Sequence, residues 1–152
     1  SQNYKHARSS GIKEEDARKI AFAPHLNIGV FSLEKNSICW SIWQDNLKKT
    51  LSKGKIFGSE GLAINLSVYV NNVPVEVLPL NGNWIASNLL PKYNEDKKIF
   101  VEPNLPNYTI GIMHLAAGIW VDKVDMRVNK NLKTQIETLS DKKVLKSLRY
   151  QG

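Results

Sequence analysis

Between Leu62 and Val70 the chain alternates for nine consecutive positions. Leu62, Ile64, Leu66, Val68 and Val70 fall on one side of an extended chain; Ala63, Asn65, Ser67 and Tyr69 fall on the other. A period of two is the signature of a strand with one buried face. Asn71 and Asn72 follow, and asparagine tolerates the positive φ of a two-residue turn. Val73, Val75 and Val77 then resume the pattern. The stretch predicts a β-hairpin with 73–78 as its second strand. Pro74 lacks an amide proton, which places that strand at a sheet edge or at a bulge. Val73, Val75, Glu76 and Val77 form the predicted interaction edge, open to a docking strand unless Pro74 and Glu76 blunt it.

The other segments are read against this hairpin. Residues 1–10 are polar and predict a flexible arm, ahead of one compact domain over 11–150. Lys13 to Ala21 predicts a short helix, with Glu14, Glu15 and Asp16 at its positive end and Pro24 beyond it. Leu26–Leu33 and Ile38–Trp43 predict two strands joined by a turn at Glu34–Asn36. Residues 45–55 predict one or two amphipathic turns, and Phe57–Gly61 a flexible link. Residues 79–91 predict a loop, 92–98 a charged turn and 99–101 a short strand. Asn107–Met113 and Ile119–Val128 predict a strand pair. Leu132, Ile136 and Leu139 recur at helical spacing, and Val144, Leu145 and Leu148 form a second apolar stripe after Ser140–Asp141, a candidate cap.

Together these predict an α+β fold: a mainly antiparallel sheet of six or seven strands, with an amino-terminal helix and a carboxy-terminal helix or helix pair. The connections are too short for crossover helices. A β-sandwich or barrel is the alternative. A length of 152 residues with 42% apolar content suits one domain and argues against general disorder.

Residues that carry chemistry are sparse. The only cysteine, Cys39, excludes an internal disulfide and a cysteine metal cluster. Its apolar neighbours predict a buried, inert thiol. His6, His25 and His114 lie far apart in sequence, without the i,i+4 spacing of a helical metal site. His114 with Asp122 or Asp125 is the one conceivable catalytic pairing, the basis of a small hydrolase-like alternative. Gly58-Ser59-Glu60-Gly61 lacks the Gly-Lys-Ser/Thr ending of a phosphate-binding loop. No catalytic residue, cofactor or metal is assigned. The Asn-x-Ser/Thr triplets at Asn65 and Asn107 fall in predicted strands and match by chance.

Charge is the more informative property. Lys and Arg total 21 against 14 Asp and Glu, a net charge of +7. That balance favours acidic partners, although it also serves solubility. Most of the basic residues are lysines, which hold a polyanion without the bidentate geometry of arginine. Lys48, Lys49, Lys53, Lys55, Lys142, Lys143, Lys146 and Arg149 form the candidate basic patch, with Trp43, Trp84 and Tyr69 as candidate stacking residues.

The function expected is a non-enzymatic interaction or assembly domain. It would bind a protein partner, or self-associate, through the β-edge and basic surface. Non-sequence-specific binding of RNA or DNA is a second expectation, and contact with an anionic membrane surface through Leu139, Val144, Leu145, Leu148 and Tyr150 a third. No apolar run approaches the ~20 residues that span a bilayer. Absence of disulfides fits the cytoplasm. A first residue other than methionine fits a processed product or an excised domain.

Overall fold

In the computed structural model the alternating stretch is a helix. Residues 2–56, 58–115, 120–121, 124–125 and 132–149 are described. They divide into two compact units, 1–76 and 77–152. Helices dominate the first unit and short strands the second.

The first unit has four helices: α1 (Gln2–Ser9), α2 (Glu14–Phe22), α3 (Cys39–Leu51) and α4 (Ser59–Tyr69). Residues 2–9, expected as part of an arm, thus form α1, and its Ala7 is fully buried. Helix α2 lies where its charges and apolar spacing predict one. The predicted strand at 38–43 is instead the start of α3, and 26–33 contains no strand.

Helix α4 replaces the first strand of the predicted hairpin. Gly58, at φ +85°, turns the chain into it with the His6 ring close by. Its buried residues include Ser59, Leu62, Ala63 and Leu66, spaced three, one and three apart. Asn65 and Ser67 are buried too, so α4 is covered around most of its circumference. A helix apolar on nearly all sides satisfies strand alternation and helical spacing at once. It also meets its own backbone hydrogen bonds, whereas a strand needs a partner. Leu62 and Leu66 pack with Ala7, Ile12, Ala17 and Ile20, and Tyr4 and Val70 close the cluster.

Burial forces α4 to satisfy its polar side chains. The Asn65 carbonyl oxygen accepts the Leu26 amide at 3.0 Å, and its amide group donates to the carbonyls of Leu26 (3.2 Å) and Gly61 (2.8 Å). One side chain therefore does for the 26–33 segment what a sheet ladder was expected to do. Asn46 of α3 donates to Ser67 Oγ at 3.0 Å and to Asn71 Oδ1 at 2.8 Å, joining α3 to α4.

The second unit is built from separate two-stranded pieces rather than one sheet. Strand β1 (Trp84–Ile85) runs parallel to β4 (Met113–His114), and β2 (Lys92–Asn94) antiparallel to β3 (Ile99–Val101). Strands β5 (Trp120–Val121) and β6 (Val124–Asp125) form a third pair; β7 (Thr134–Glu137) and β8 (Lys143–Lys146) form a fourth. This overturns the six- or seven-stranded sheet, and the sandwich or barrel alternative with it. The chain is more helical than β-rich among the described residues. Among the described residues, β4 pairs with β1 and Thr109 bridges Val101, and no pairing of 107–113 with 119–128 is seen. Most of 119–128 lies outside the described residues.

The predicted carboxy-terminal helices are the β7–β8 hairpin. Ser140–Asp141, read as a helix cap, sits in its turn, where Asp141 takes φ +58°. Ile136 and Thr138 are buried while Gln135 and Glu137 are exposed. The operative period there is two, and the β-branched Thr134, Ile136 and Thr138 suit it. Ile136 joins Trp84, Ala86, Tyr93 and Leu148 in the unit's core.

Asn65→Ala should destabilise the fold by about 2–3 kcal/mol, because it strands the Leu26 backbone groups; urea unfolding measures this. Gly54→Ala tests a tighter spot. A Cβ there meets the Thr50 carbonyl and lies 2.6 Å from Ser10 Oγ, so we expect a loss of about 1–3 kcal/mol in the same experiment.

Candidate aromatic interaction face

The sequence candidates disperse in the structure. Residues 73–78 form no strand, so the predicted interaction edge has no ladder to offer. Val73 is buried, and its amide donates to the Ser67 carbonyl at 3.0 Å, which ends α4. Val75, Glu76 and Val77 are exposed, but the division between the units falls between Glu76 and Val77. Pro74 and the exit from α4 account for the missing strand: the residues before it are helical, leaving no partner at hairpin distance.

The lysines divide between the units as well. Lys48, Lys49, Lys53 and Lys55 are exposed in the first unit, where Lys48 lies 3.9 Å from Asp45. Lys142 and Lys143 are exposed in the second, and Lys146 and Arg149 are half-buried there. Lys146 Nζ sits 4.4 Å from the centre of the Tyr93 ring, a cation–π contact within the unit. Lys92 bonds Asp141 at 2.9 Å, and that hydrogen bond raises the lysine above its ordinary pKa.

Two of the three stacking candidates are occupied elsewhere. Trp84 is a core residue whose indole N–H donates to the Leu89 carbonyl at 2.8 Å. The Tyr69 hydroxyl donates to the Pro24 carbonyl at 2.6 Å. Trp43 alone belongs to an aromatic surface. Its ring stacks on Trp40 with centroids 6.0 Å apart and planes 25° from parallel. Phe31 meets both edge-on, at 5.4 Å from Trp43 and 6.5 Å from Trp40.

Helix α3 positions this trio. Trp40 and Trp43 are three residues apart and so share a face. Ser37 Oγ accepts the Cys39 amide at 3.2 Å and thereby helps start the helix. The Trp40 indole N–H donates to the Glu34 carbonyl at 3.0 Å, and that of Trp43 to the Glu60 carbonyl at 3.3 Å. Both rings are thus held by their polar edges, which leaves apolar surface outward. Phe31 is 51% exposed and Trp40 43% exposed. Neither was a sequence candidate. The i,i+3 tryptophan pair is a usable signal, but a strand over 38–43 sends positions 40 and 43 to opposite faces.

The candidate catalytic pairing falls partly outside the described residues. His114 Nδ1 pairs with Asn83 Oδ1 at 3.2 Å, while Asp122 and the side chain of Asp125 lie outside the described residues. Among the described residues no three His, Cys, Asp or Glu side chains are placed to hold a metal ion. No helix among them is long and apolar enough to cross a membrane. An open concavity is lined by Glu14, Glu15, Arg18, Lys19 and Phe22, where Arg18 pairs with Glu14 and Lys19 with Glu15. Cys39 is 2% exposed, and burial pushes its thiol pKa up. The chain matches no protein-family model, no curated protein and no solved structure.

The Cys39 environment is directly measurable. The thiolate is the reactive form, so iodoacetamide should alkylate the folded chain on the order of tenfold or more slower than the unfolded chain at neutral pH. The upward shift also fixes a sign: stability linked to the neutral thiol is complete below the ordinary cysteine pKa and falls as pH climbs through the raised one.

Proposed function

We propose that this chain is a non-enzymatic interaction domain that binds a protein partner through the α3 aromatic face. The observation that carries the reading is the packed trio Phe31, Trp40 and Trp43, its two indoles bonded to backbone carbonyls and Phe31 and Trp40 open to solvent. Large aromatic side chains dominate binding energy at protein interfaces, and a pre-ordered cluster loses little entropy when a partner covers it. The cluster is concentrated, unlike exposed aliphatic residues scattered singly over a surface. Lys48, exposed on the same helix, adds a positive charge that favours an acidic complement.

A polyanion is the second reading, because no acid interrupts the run of Lys48, Lys49, Lys53 and Lys55 between Asp45 and Glu60. It predicts binding that weakens steeply with salt.

Immobilised wild-type chain and a Phe31→Ala/Trp40→Ala variant, both folded by circular dichroism, distinguish the readings in an extract of the source cells. We expect a protein retained by wild type, retained equally by Lys49→Ala, and weakened roughly 30-fold or more by the double variant. Retention unaffected by the double variant sinks the proposal. Retention lost on nuclease treatment or at moderate salt, with the aromatics unimportant, favours the polyanion.

A further inference from the structure

The β7–β8 hairpin is flanked on one side only. On the β7 side, Tyr93 of β2 bridges Thr138, and its carbonyl accepts the Leu139 amide at 3.2 Å. Strand β8 has β7 on one side and, among the described residues, no strand on the other. The register decides which backbone groups face that open side. Next to the turn, the Thr138 amide donates to the Lys142 carbonyl at 2.7 Å. Hydrogen-bonded pairs recur every second residue in an antiparallel ladder, so 136–144 and 134–146 exchange bonds. The N–H and C=O groups of Lys143 and Leu145 therefore point away from β7. Among the described residues no hydrogen bond from outside the hairpin reaches them. The Leu145 side chain is 63% exposed, on the face opposite that of the partly buried Val144.

We infer that this edge takes an acidic, extended segment of another protein, added as a strand along β8. The site does not depend on the α3 reading. An open edge offers main-chain bonds to any extended chain, and the side chains along it choose among them. From Lys142 to Arg149 the sequence holds four basic residues and no acidic one. Lys142 and Lys143 are exposed. The neighbouring acids are engaged or lie inward. Asp141 pairs with Lys92 at 2.9 Å, and Glu95 accepts from Ser140 at 3.0 Å. Glu137 stands on β7, on the side of Lys143 away from the edge. Lysine on an edge repels a like strand. A second copy of β8 would set lysine beside lysine, which is unfavourable. The same lysines attract an acidic strand, so repulsion and attraction select the same partner. Leu145 adds a further requirement. It lies two residues from Lys143 on the same face, so it calls for an apolar side chain two positions from the acid.

Titration of the full chain with a capped fluorescent peptide built around Glu-Val-Val-Glu-Glu is the test. Running antiparallel to β8, that order sets glutamate against Lys142, Lys143 and Lys146, and valine against Val144 and Leu145. We expect saturable binding, with hydrogen exchange of the Lys143 and Leu145 amides slowed by the peptide. Lys142→Gln/Lys143→Gln should weaken binding about fivefold or more. Lys48→Gln/Lys49→Gln, an equal loss of charge in the first unit, should not; circular dichroism checks that both variants are folded. The peptide N-methylated at the residues opposite Lys143 and Leu145 should not bind, because its ladder donors are gone. Absence of binding to wild type overturns the inference. Equal weakening in both double variants, or equal binding of the methylated peptide, also overturns it, since charge alone would then be read. So does an oligothymidylate that binds as tightly with the same lysine dependence, in favour of a polyanion. Slowed exchange at Lys143 and Leu145 on concentrating the chain alone would place a second copy on the edge instead.

Discussion

Everything in the first unit depends on satisfying the polar side chains of a buried helix. Helix α4 is enclosed on most sides, yet it carries Asn65 and Ser67 inside. A buried amide without partners costs more than a hydrogen bond ordinarily contributes. Asn65 resolves this by gripping both backbone groups of Leu26, and Ser67 by accepting from Asn46. These bonds fix the path of the irregular segment after α2 and the docking face of α3. The Leu62–Leu66 cluster provides the apolar burial; the asparagines set which neighbours lie against it.

That polar docking has a consequence for the surface. Helix α3 meets α4 through Asn46 and the polar edge of Trp43, and Trp40 and Leu51 stay exposed on the adjoining flank. A helix docked by its apolar stripe would have hidden Trp40 and left Asn46 in water. The arrangement leaves hydrophobic area unburied within the chain, and covering that area by a second molecule would recover it. The aromatic trio is ordered before any partner arrives, since carbonyls of Glu34 and Glu60 hold the two indoles.

The second unit follows another rule. Its strands are two to four residues long and pair in twos. Such pieces gain little from ladder bonds alone. They are held by a shared core of Trp84, Ala86, Tyr93, Ile136 and Leu148, supported by the Lys92–Asp141 ion pair and the Lys146–Tyr93 contact.

What the sequence determined was local: the α2 helix from its acidic first turn and its apolar spacing, the strand at 99–101, and a cysteine in an apolar setting. Periodicity misled where nearly every residue was small or apolar. Leu62–Val70 fits both a strand and a helix, and 132–148 misled in the opposite sense, with helical spacing over a β-hairpin. Tertiary structure decided these cases, because a segment's period counts only on the faces that neighbours cover. The aromatic face was hidden from the sequence for the same reason. Trp40 and Trp43 share a surface only once 39–51 is a helix, and that surface stays open only because Asn46 finds its partners on the other side.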